Sequence, residues 1–278
     1  MNRKVIFLDI DGTLTEPGKN EPPQSAVEAV CQAREAGHSV FLCTGRNYAM
    51  LYPLLKYGFD GVVASAGGYI KCGEEVIYDC PMTEEQRKSA MNILKENGVF
   101  RTVECLNGSY ADQEFKRFLE QCASENGNSE LLRWREQIEK RLNILPMEEY
   151  NGQPVYKITI MSPSMEQIEA SKEKLCNDFE FCIQEDGSGS FINGEIINRK
   201  FDKGRAVEKV CAHLNIPLFD SIAIGDSMND REMMETAGLG ICMENGSETV
   251  KKLADDICPS VLCDGIREAF LKHRLISM

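Results

Sequence analysis

The chain has 278 residues, of which 42% are hydrophobic, and its formal net charge is −13. This length favours two domains, and the net negative charge argues against nucleic acid as a partner, because binding a phosphate backbone requires clustered Lys and Arg. No hydrophobic run approaches 18 residues, so we expect no membrane span and no signal peptide. The twelve cysteines are scattered without a Cys-x-x-Cys pair, which favours free thiols in a cytoplasmic protein.

The first predicted element is a strand over 5–8, and two carboxylates, Asp9 and Asp11, follow it directly. Four consecutive apolar residues indicate a strand that is buried on both faces. A carboxylate at the end of such a strand requires a cation or hydrogen-bond donors, and ligand sites of open α/β sheets lie at this end. Asp9 and Asp11 are therefore candidate ligands of a hard cation, and Asp9 is a candidate nucleophile. The alternative is an Asp-Gly turn in which both side chains cap backbone amides.

A parallel sheet is predicted from the elements that follow. Apolar spacing predicts a helix over 24–36, and a second strand over 38–43 ends at Thr44, Gly45 and Arg46. Another helical segment, bent or interrupted by Pro53, leads to a third strand over 61–64. Strands that alternate with helices in this way are typical of parallel sheets with right-handed crossovers.

The pattern changes after a hairpin that we predict over 69–78. Charged helices and isolated strands then occur in mixed order, which predicts an inserted α+β domain over 82–197, with a Rossmann-like core formed by 1–81 and 198–278. The predicted helices of this insertion are 84–96, 112–123, 130–141 and 165–177. Its predicted strands are 100–106, 155–161, 181–184 and 191–197, with a turn over 185–189 before the last of them.

The first pattern returns with an amphipathic helix over 203–214 and a strand over 220–225 that ends at Asp226. Further predicted elements are a strand over 239–243 and helices over 228–237, 247–254 and 264–273. The fold class predicted from the whole chain is α/β, with a doubly wound parallel sheet and an inserted α+β domain.

Polar side chains thus follow three predicted parallel strands, and Lys203 begins a helix. If these ends converge, three carboxylates would suit Mg²⁺, which prefers oxygen ligands and keeps waters and a substrate phosphate as further ligands. Each residue also has a simpler explanation. Thr44 could be a helix N-cap and Lys203 a solvated residue, while Asp226 and Asp230 could favour a helix N-terminus by their charge.

The motifs of this chain resemble those of the haloacid dehalogenase-like phosphatases, in particular the Cof-type subfamily with its large α/β cap. The first motif, Asp-x-Asp-Gly-Thr, matches residues 9–13, and the second, a Ser or Thr at a strand end, matches Thr44. The third, Lys-Gly, matches 203–204, and the fourth, Gly-Asp-x-x-Asn-Asp, matches 225–230. A later Ala-Gly-x-Gly…Met-x-Asn stretch is present at 237–245, and the resemblance covers essentially the whole chain.

The resemblance implies a Mg²⁺-dependent phosphatase of small phosphorylated metabolites, sugar phosphates first. Asp9 would attack phosphorus and form an aspartyl-phosphate, and Asp11 would act as general acid and then as base. The metal would be held by the Asp9 carboxylate, the Asp11 carbonyl and Asp226, with support from Asp230. Thr44, Lys203 and Asn229 would hold the transferring phosphate, while the cap would exclude water and choose the substrate.

Two segments depart from the family pattern. Residues 66–68 read Ala-Gly-Gly where the family commonly has Asn-Gly-Ala, and residues 198–202 lack the usual Pro and Gly. Both segments border the predicted cleft, so these departures concern the substrate preference and not the catalytic positions. The residues Gly45, Arg46, Arg199 and Lys200 are candidate contacts with the substrate, although each of the three cations could be an ordinary surface charge.

Two other functions are compatible with the same motifs. A phosphomutase would pass the phosphoryl group to another sugar hydroxyl, and a receiver-like signalling module would keep it on the aspartate. A receiver has no use for an insertion of this size. The sequence names no substrate and no oligomeric state.

Overall fold

The structure, a computed structural model, describes residues 3–113, 144–185 and 192–277. The chain divides into two units, one formed by Met1–Asp79 with Phe201–Met278 and the other by Cys80–Lys200. The helices predicted over 112–123 and 130–141, and the turn predicted over 185–189, fall mainly outside the described residues.

The secondary structure of the described residues comprises fourteen strands and eight α-helices. The strands are β1 (Val5–Leu8), β2 (Ser39–Cys43), β3 (Gly61–Ala64), β4 (Tyr69–Cys72), β5 (Glu75–Asp79), β6 (Phe100–Cys105), β7 (Gly108–Ala111), β8 (Ile144–Pro146), β9 (Val155–Ser162), β10 (Phe179–Glu185), β11 (Ile192–Asn198), β12 (Ser221–Gly225), β13 (Leu239–Met243) and β14 (Asp256–Cys258). The α-helices span Gln24–Glu35, Tyr52–Leu55, Glu84–Glu96, Met165–Leu175, Lys203–Leu214, Arg231–Thr236, Glu248–Lys251 and Gly265–Lys272.

The first unit contains an eight-stranded sheet in the order β14-β13-β12-β1-β2-β3-β4-β5. Its strands are parallel from β14 to β3, and β4 and β5 extend it as an antiparallel hairpin. The register places Leu8 of β1 between Ile224 of β12 and Leu42 of β2. The residues that follow these three strands therefore emerge side by side at one edge of the sheet.

Both faces of this sheet are covered around β1. Val5 and Phe7 pack on one face with Val207 of the helix Lys203–Leu214. Ile6 and Leu8 point to the opposite face, because side chains alternate along a strand, and both are fully buried. Burial of each such side chain contributes about 1.5–3 kcal/mol, which fixes β1 at the centre of the core. The predicted doubly wound α/β fold is confirmed.

The second unit contains a six-stranded sheet in the order β10-β11-β9-β6-β7-β8. Its pairs are antiparallel except for β7 and β8, which run parallel. Val103 and Ile158 on one face of this sheet belong to a buried cluster with Leu94 and Ile168, which come from the helices Glu84–Glu96 and Met165–Leu175. This unit therefore has the α+β architecture that the sequence predicted for the insertion.

Two predicted helices begin differently in the structure. The helix predicted over 228–237 starts with a 3-10 turn, Met228–Asp230, because the Asp230 side chain folds back to accept hydrogen bonds from the backbone of Asp226 and Ser227. The α-helix begins only at Arg231. Pro53 does not interrupt a helix; it lies in the first turn of Tyr52–Leu55, where no intrahelical N–H bond is needed.

Within the described ranges, no helix combines the length and hydrophobicity that crossing a bilayer requires. The eleven cysteines in the same ranges are free thiols.

Candidate active site

Asp9 directly follows β1 and is almost completely buried, with 4% of its surface exposed. Its backbone N–H donates to the Ile224 carbonyl at 3.0 Å, so the residue continues the pairing of β1 with β12. Its Oδ1 lies 2.7 Å from Nζ of Lys203, which balances part of the buried charge. The expected turn in which Asp9 merely caps backbone amides is therefore not what the structure contains.

Lys203 is the first residue of the helix Lys203–Leu214, and only 1% of it is exposed. The side chain of Asp202 caps this helix by accepting from the Arg205 N–H at 2.7 Å, which fixes the direction in which Lys203 leaves it. Its ammonium donates to Asp9 Oδ1 and to Asp230 Oδ1, the latter at 2.6 Å. Burial lowers the pKa of Lys203, but Asp230 and Asp9 outweigh burial and raise it, so the group is a cation. The interpretation of Lys203 as a solvated residue is therefore wrong.

Asp230 holds the loop that follows β12. Its Oδ1 faces Lys203, and its Oδ2 accepts from the N–H groups of Asp226 at 3.0 Å and Ser227 at 3.1 Å. Gly225 makes room for this arrangement, since a Cβ at that position would lie 2.5 Å from Asp230 Oδ2. Three donors therefore occupy the Asp230 carboxylate, which suits it to positioning the loop more than to direct metal ligation.

The loop after β1 and the loop after β12 are joined through Asp226. Thr13 donates its hydroxyl to Asp226 Oδ1 at 3.0 Å. Gly12 adopts a φ of +85°, and a Cβ there would lie 2.4 Å from Asp226 Oδ2. Asn245, which follows β13, donates its side-chain amide to the Gly12 carbonyl at 2.8 Å. Glycine is thus required at position 12 both by the backbone conformation and by the closeness of the carboxylate.

Carboxylate oxygens of Asp9, Asp226 and Asp230, one from each residue, lie within 4.8 Å of one another. Burial raises the pKa of Asp9 well above its usual value, and Asp230 and Asp226 raise it further against the effect of Lys203. Burial, followed by the charge of Asp230, raises the pKa of Asp226 to about 6. Oxygen donors crowded with excess negative charge fit a divalent cation such as Mg²⁺. Among the described residues, the carboxylates of Asp9 and Asp226 accept fewer hydrogen bonds than that of Asp230, which favours them as ligands.

Asp11 is held by a different cation. Nε of Arg46 donates to Asp11 Oδ2 at 2.8 Å, and Nη2 of Arg46 donates to Oδ1 at 2.7 Å. The Gly18 N–H also donates to Oδ1, at 2.7 Å. Burial raises the pKa of Asp11, but the hydrogen bonds and charge of Arg46 and the Gly18 N–H outweigh it, and the pKa lies below its usual value. Arg46 is only 9% exposed, so its interpretation as an ordinary surface charge is wrong.

The other predicted substrate contacts lie in several places. Thr44 is buried at the end of β2, where its hydroxyl accepts from the Arg46 N–H at 3.2 Å, and Gly45 lies between these two residues. Asn229 is exposed beside the cluster, with Oδ1 3.5 Å from the Lys203 ammonium. Arg199 belongs to the second unit and pairs there with the Cys176 carbonyl at 2.7 Å and Glu180 at 3.0 Å.

Three residues of the site were not assigned a role from the sequence. Thr13 and Asn245 lie inside the first motif and the Met-x-Asn stretch, so their positions in the motifs were the available signal. Asn20 accepts from Nη1 of Arg46 at 2.6 Å, and no local pattern marks it, because it lies in an irregular loop.

Known proteins resemble this chain over nearly its whole length. A family model described as haloacid dehalogenase-like hydrolase matches residues 6–270. A 5-amino-6-(5-phospho-D-ribitylamino)uracil phosphatase of Bacillus subtilis is 29% identical over 99% of this chain and 98% of its own length. A phosphoglycolate phosphatase of Methanobrevibacter smithii is 26% identical over 99% of this chain and its own full length.

Among solved structures, a HAD subclass IIB sugar phosphatase superposes with a TM-score of 0.77 at 23% identity. The match covers 98% of this chain and all of that one. At this identity the structural match supports the fold alone, whereas the family model covers nearly every described element. The chain therefore belongs to the haloacid dehalogenase-like hydrolases and is an enzyme of that family.

Proposed function

We propose that this protein is a Mg²⁺-dependent phosphatase that hydrolyses small phosphorylated metabolites through an aspartyl-phosphate on Asp9. The observation that carries the proposal is the contact of Asp9 with the buried ammonium of Lys203, beside the carboxylates of Asp226 and Asp230. A nucleophilic carboxylate repels an anionic phosphate, so a site of this kind requires positive charge close to the reacting atoms. Lys203 supplies part of that charge.

In the proposed first step, an Asp9 oxygen attacks phosphorus, the bond to the leaving oxygen breaks, and Asp11 protonates that oxygen. In the second step, Asp11 takes a proton from water as the water attacks the aspartyl-phosphate. Thr44 and Asn229 would bind the transferring phosphate oxygens together with Lys203. A bound Mg²⁺, held by Asp9, the Asp11 carbonyl and Asp226, would neutralise phosphate charge and orient the group.

Sugar phosphates are the substrates we propose first. The proposal is supported by relatives whose names specify phosphatases of small phosphorylated molecules and by the sugar phosphatase of the same fold. We propose that the inserted domain, residues 82–197, is a cap that selects the substrate and that 1–81 with 198–278 form the catalytic core. Arg199 remains a proposed contact with the substrate.

The test measures release of p-nitrophenolate and phosphate from p-nitrophenyl phosphate with MgCl₂ or with EDTA. We expect turnover that depends on Mg²⁺ in the wild type and is abolished in Asp9→Asn. Asp256→Asn is a matched control, because it makes the same chemical change at a distant strand, and it should keep turnover. Full turnover by Asp9→Asn would remove the nucleophile from the proposal, and equal turnover in EDTA would remove the metal.

The same preparation distinguishes the alternatives when it is given a panel of phosphorylated sugars. Free phosphate is the product of a phosphatase, whereas an isomeric sugar phosphate would indicate a phosphomutase. A phosphoprotein that persists without turnover would indicate a receiver-like module.

A further inference from the structure

We propose that Arg46 is a positioning residue that holds one oxygen of Asp11, Oδ2, in place to accept the proton of the attacking water. This inference rests on the proposed function, because it concerns the second step of that reaction. It gives Arg46 a role distinct from the substrate contact expected from the sequence.

The two oxygens of the Asp11 carboxylate accept different numbers of hydrogen bonds. A carboxylate oxygen accepts about two hydrogen bonds. Oδ1 of Asp11 accepts two, from Arg46 and from Gly18, whereas Oδ2 accepts one from Arg46 within the described residues. Oδ2 therefore keeps one open position. The Asp11 side chain is 39% exposed in spite of these bonds, so part of it is open to water.

The guanidinium of Arg46 is itself held rigidly. Its guanidinium plane is fixed at four points, by the two Asp11 oxygens, by Asn20 Oδ1 at 2.6 Å and by the Lys19 carbonyl at 3.1 Å. Burial of the group restricts it further. A planar fork with five donors can meet all these acceptors at once, whereas the ammonium of a lysine is a single point with three donors. The rotamer of Asp11 is thereby determined by a side chain from a different loop.

The step that Asp11 assists is the hydrolysis of the aspartyl-phosphate. A water oxygen attacks the phosphorus of the aspartyl-phosphate, the bond from phosphorus to the Asp9 oxygen breaks, and its electron pair returns to the Asp9 carboxylate. The proton that the water loses passes to Oδ2 of Asp11. The products are inorganic phosphate and the free Asp9 carboxylate. Loss of the fork would leave Asp11 in several rotamers and slow this step.

The experiment uses p-nitrophenyl phosphate, because its leaving group departs without protonation and the first step therefore does not need Asp11 as acid. In Arg46→Lys we expect kcat to fall about 10-fold to 100-fold while kcat/KM stays near the wild-type value. A burst of about one p-nitrophenolate per protein molecule should precede the slow phase as the aspartyl-phosphate accumulates. Arg34→Lys is the matched control, since Arg34 forms the same two-oxygen contact with Asp60 outside the site. It should leave kcat, kcat/KM and the burst amplitude at their wild-type values.

Two more variants keep the inference testable. In an Asp11→Asn background, Arg46→Lys should have no further effect on kcat, because both changes act through one group. Asn20→Ala removes one acceptor of the guanidinium and keeps both contacts of Arg46 with Asp11. It should give a smaller burst and a smaller loss of kcat than Arg46→Lys. If Arg46→Lys does not fold, wild-type kinetics of Asn20→Ala would overturn the inference. So does a parallel fall of kcat and kcat/KM in Arg46→Lys without a burst. If the wild type and Arg34→Lys release no p-nitrophenolate, the proposed function itself fails.

Discussion

Nζ of Lys203 lies 2.7 Å from Oδ1 of Asp9, although 194 positions separate the two residues in the sequence. The pair is completed by Asp230, whose Oδ1 is 2.6 Å from the same ammonium. Two buried carboxylates thus share one cation, and removal of that cation would leave their charge uncompensated in the buried site.

Replacement of Lys203 by Met tests this dependence. We expect the free energy of unfolding in EDTA to fall by about 3–5 kcal/mol, because breaking a buried ion pair leaves uncompensated charge. Added MgCl₂ should restore part of the loss, since a ligand that binds only the folded state stabilises it. Urea denaturation with EDTA and with MgCl₂ measures both effects. Lys88→Met, which removes an exposed partner of Glu84, serves as control and should change stability by less than about 1 kcal/mol. An unchanged unfolding curve for Lys203→Met would contradict the buried triad.

The second unit contains its own buried pair. Arg101 donates to Asp112 through its backbone N–H at 3.0 Å and through Nε at 2.7 Å, and both residues are buried. We expect Asp112→Asn to lower the free energy of unfolding of this unit by about 3–5 kcal/mol, because the guanidinium would stay buried without its counter-ion.

Glu84→Gln is the control for Asp112→Asn, since it removes a carboxylate from an exposed pair on a helix and should cost less than about 0.5 kcal/mol. Hydrogen exchange followed by mass spectrometry reports the stability of each unit separately. Equal protection of β6 in the two variants would show that Asp112 does not stabilise Arg101.

The stability of the first unit should depend on pH through Asp256. Burial raises the pKa of this carboxyl, but hydrogen bonds from Lys272 and His273 and the Ile257 N–H outweigh it, so the pKa lies below its usual value. A lowered pKa in the folded state means that the contribution is present above the pKa of the unfolded chain and is lost as the pH falls through the folded pKa.

Asp256→Asn should therefore be less stable than the wild type near neutral pH, by about 0.5–1 kcal/mol for a partly exposed carboxylate. The difference should vanish in acid, below the folded pKa. Urea denaturation at neutral and at acidic pH gives the two values. A difference that is constant across this range would assign the effect to packing and not to charge.

Ala66 has a left-handed backbone conformation, with φ 57° and ψ 27°. A residue with a Cβ destabilises the folded state by about 1–2 kcal/mol in this conformation, and glycine does not. Glycine also adds conformational freedom to the unfolded chain, which offsets part of the gain. We expect Ala66→Gly to leave the free energy of unfolding unchanged or raise it by up to about 1 kcal/mol. The same change at exposed Ala212, inside the helix Lys203–Leu214, should lower it by about 1 kcal/mol. Thermal denaturation compares the two. Equal losses at both positions would contradict the assignment of strain to Ala66.

The central strands could be predicted because a strand of a buried parallel sheet is apolar on both faces, and their sequences have this pattern. Val5–Leu8 has apolar residues on both faces, and the helix Lys203–Leu214 has them on one, so each pattern matches its surroundings. The short strands β7, β8 and β14 were not predicted, because none of them contains a run of four apolar residues like that of β1. The 3-10 turn at Met228–Asp230 was missed because the hydrogen bonds that Asp230 accepts from the Asp226 and Ser227 N–H groups form a local cap, which the apolar pattern does not reveal.

The convergence of Asp9 and Asp226 could be predicted from one rule, that the ends of neighbouring parallel strands meet at one edge. The contact between Arg46 and Asp11 could not. It depends on how far a long side chain reaches from an irregular loop and on which acceptors that loop supplies, and neither is encoded in a local pattern. The same limit applies to Asn20, which is recognisable only once Arg46 has been placed.

The chain leaves the eight-stranded sheet after β5, the outermost strand at that end, and re-enters the first unit at Phe201 directly before a helix. Among the described residues, the insertion contributes no strand to the eight-stranded sheet, so the intervening residues could be lengthened, shortened or exchanged while every pair of the parallel strands stays formed. Variation in that stretch therefore breaks no pairing of the strands that lead to Asp9 and Asp226, and a lineage could exchange it without rebuilding those strands.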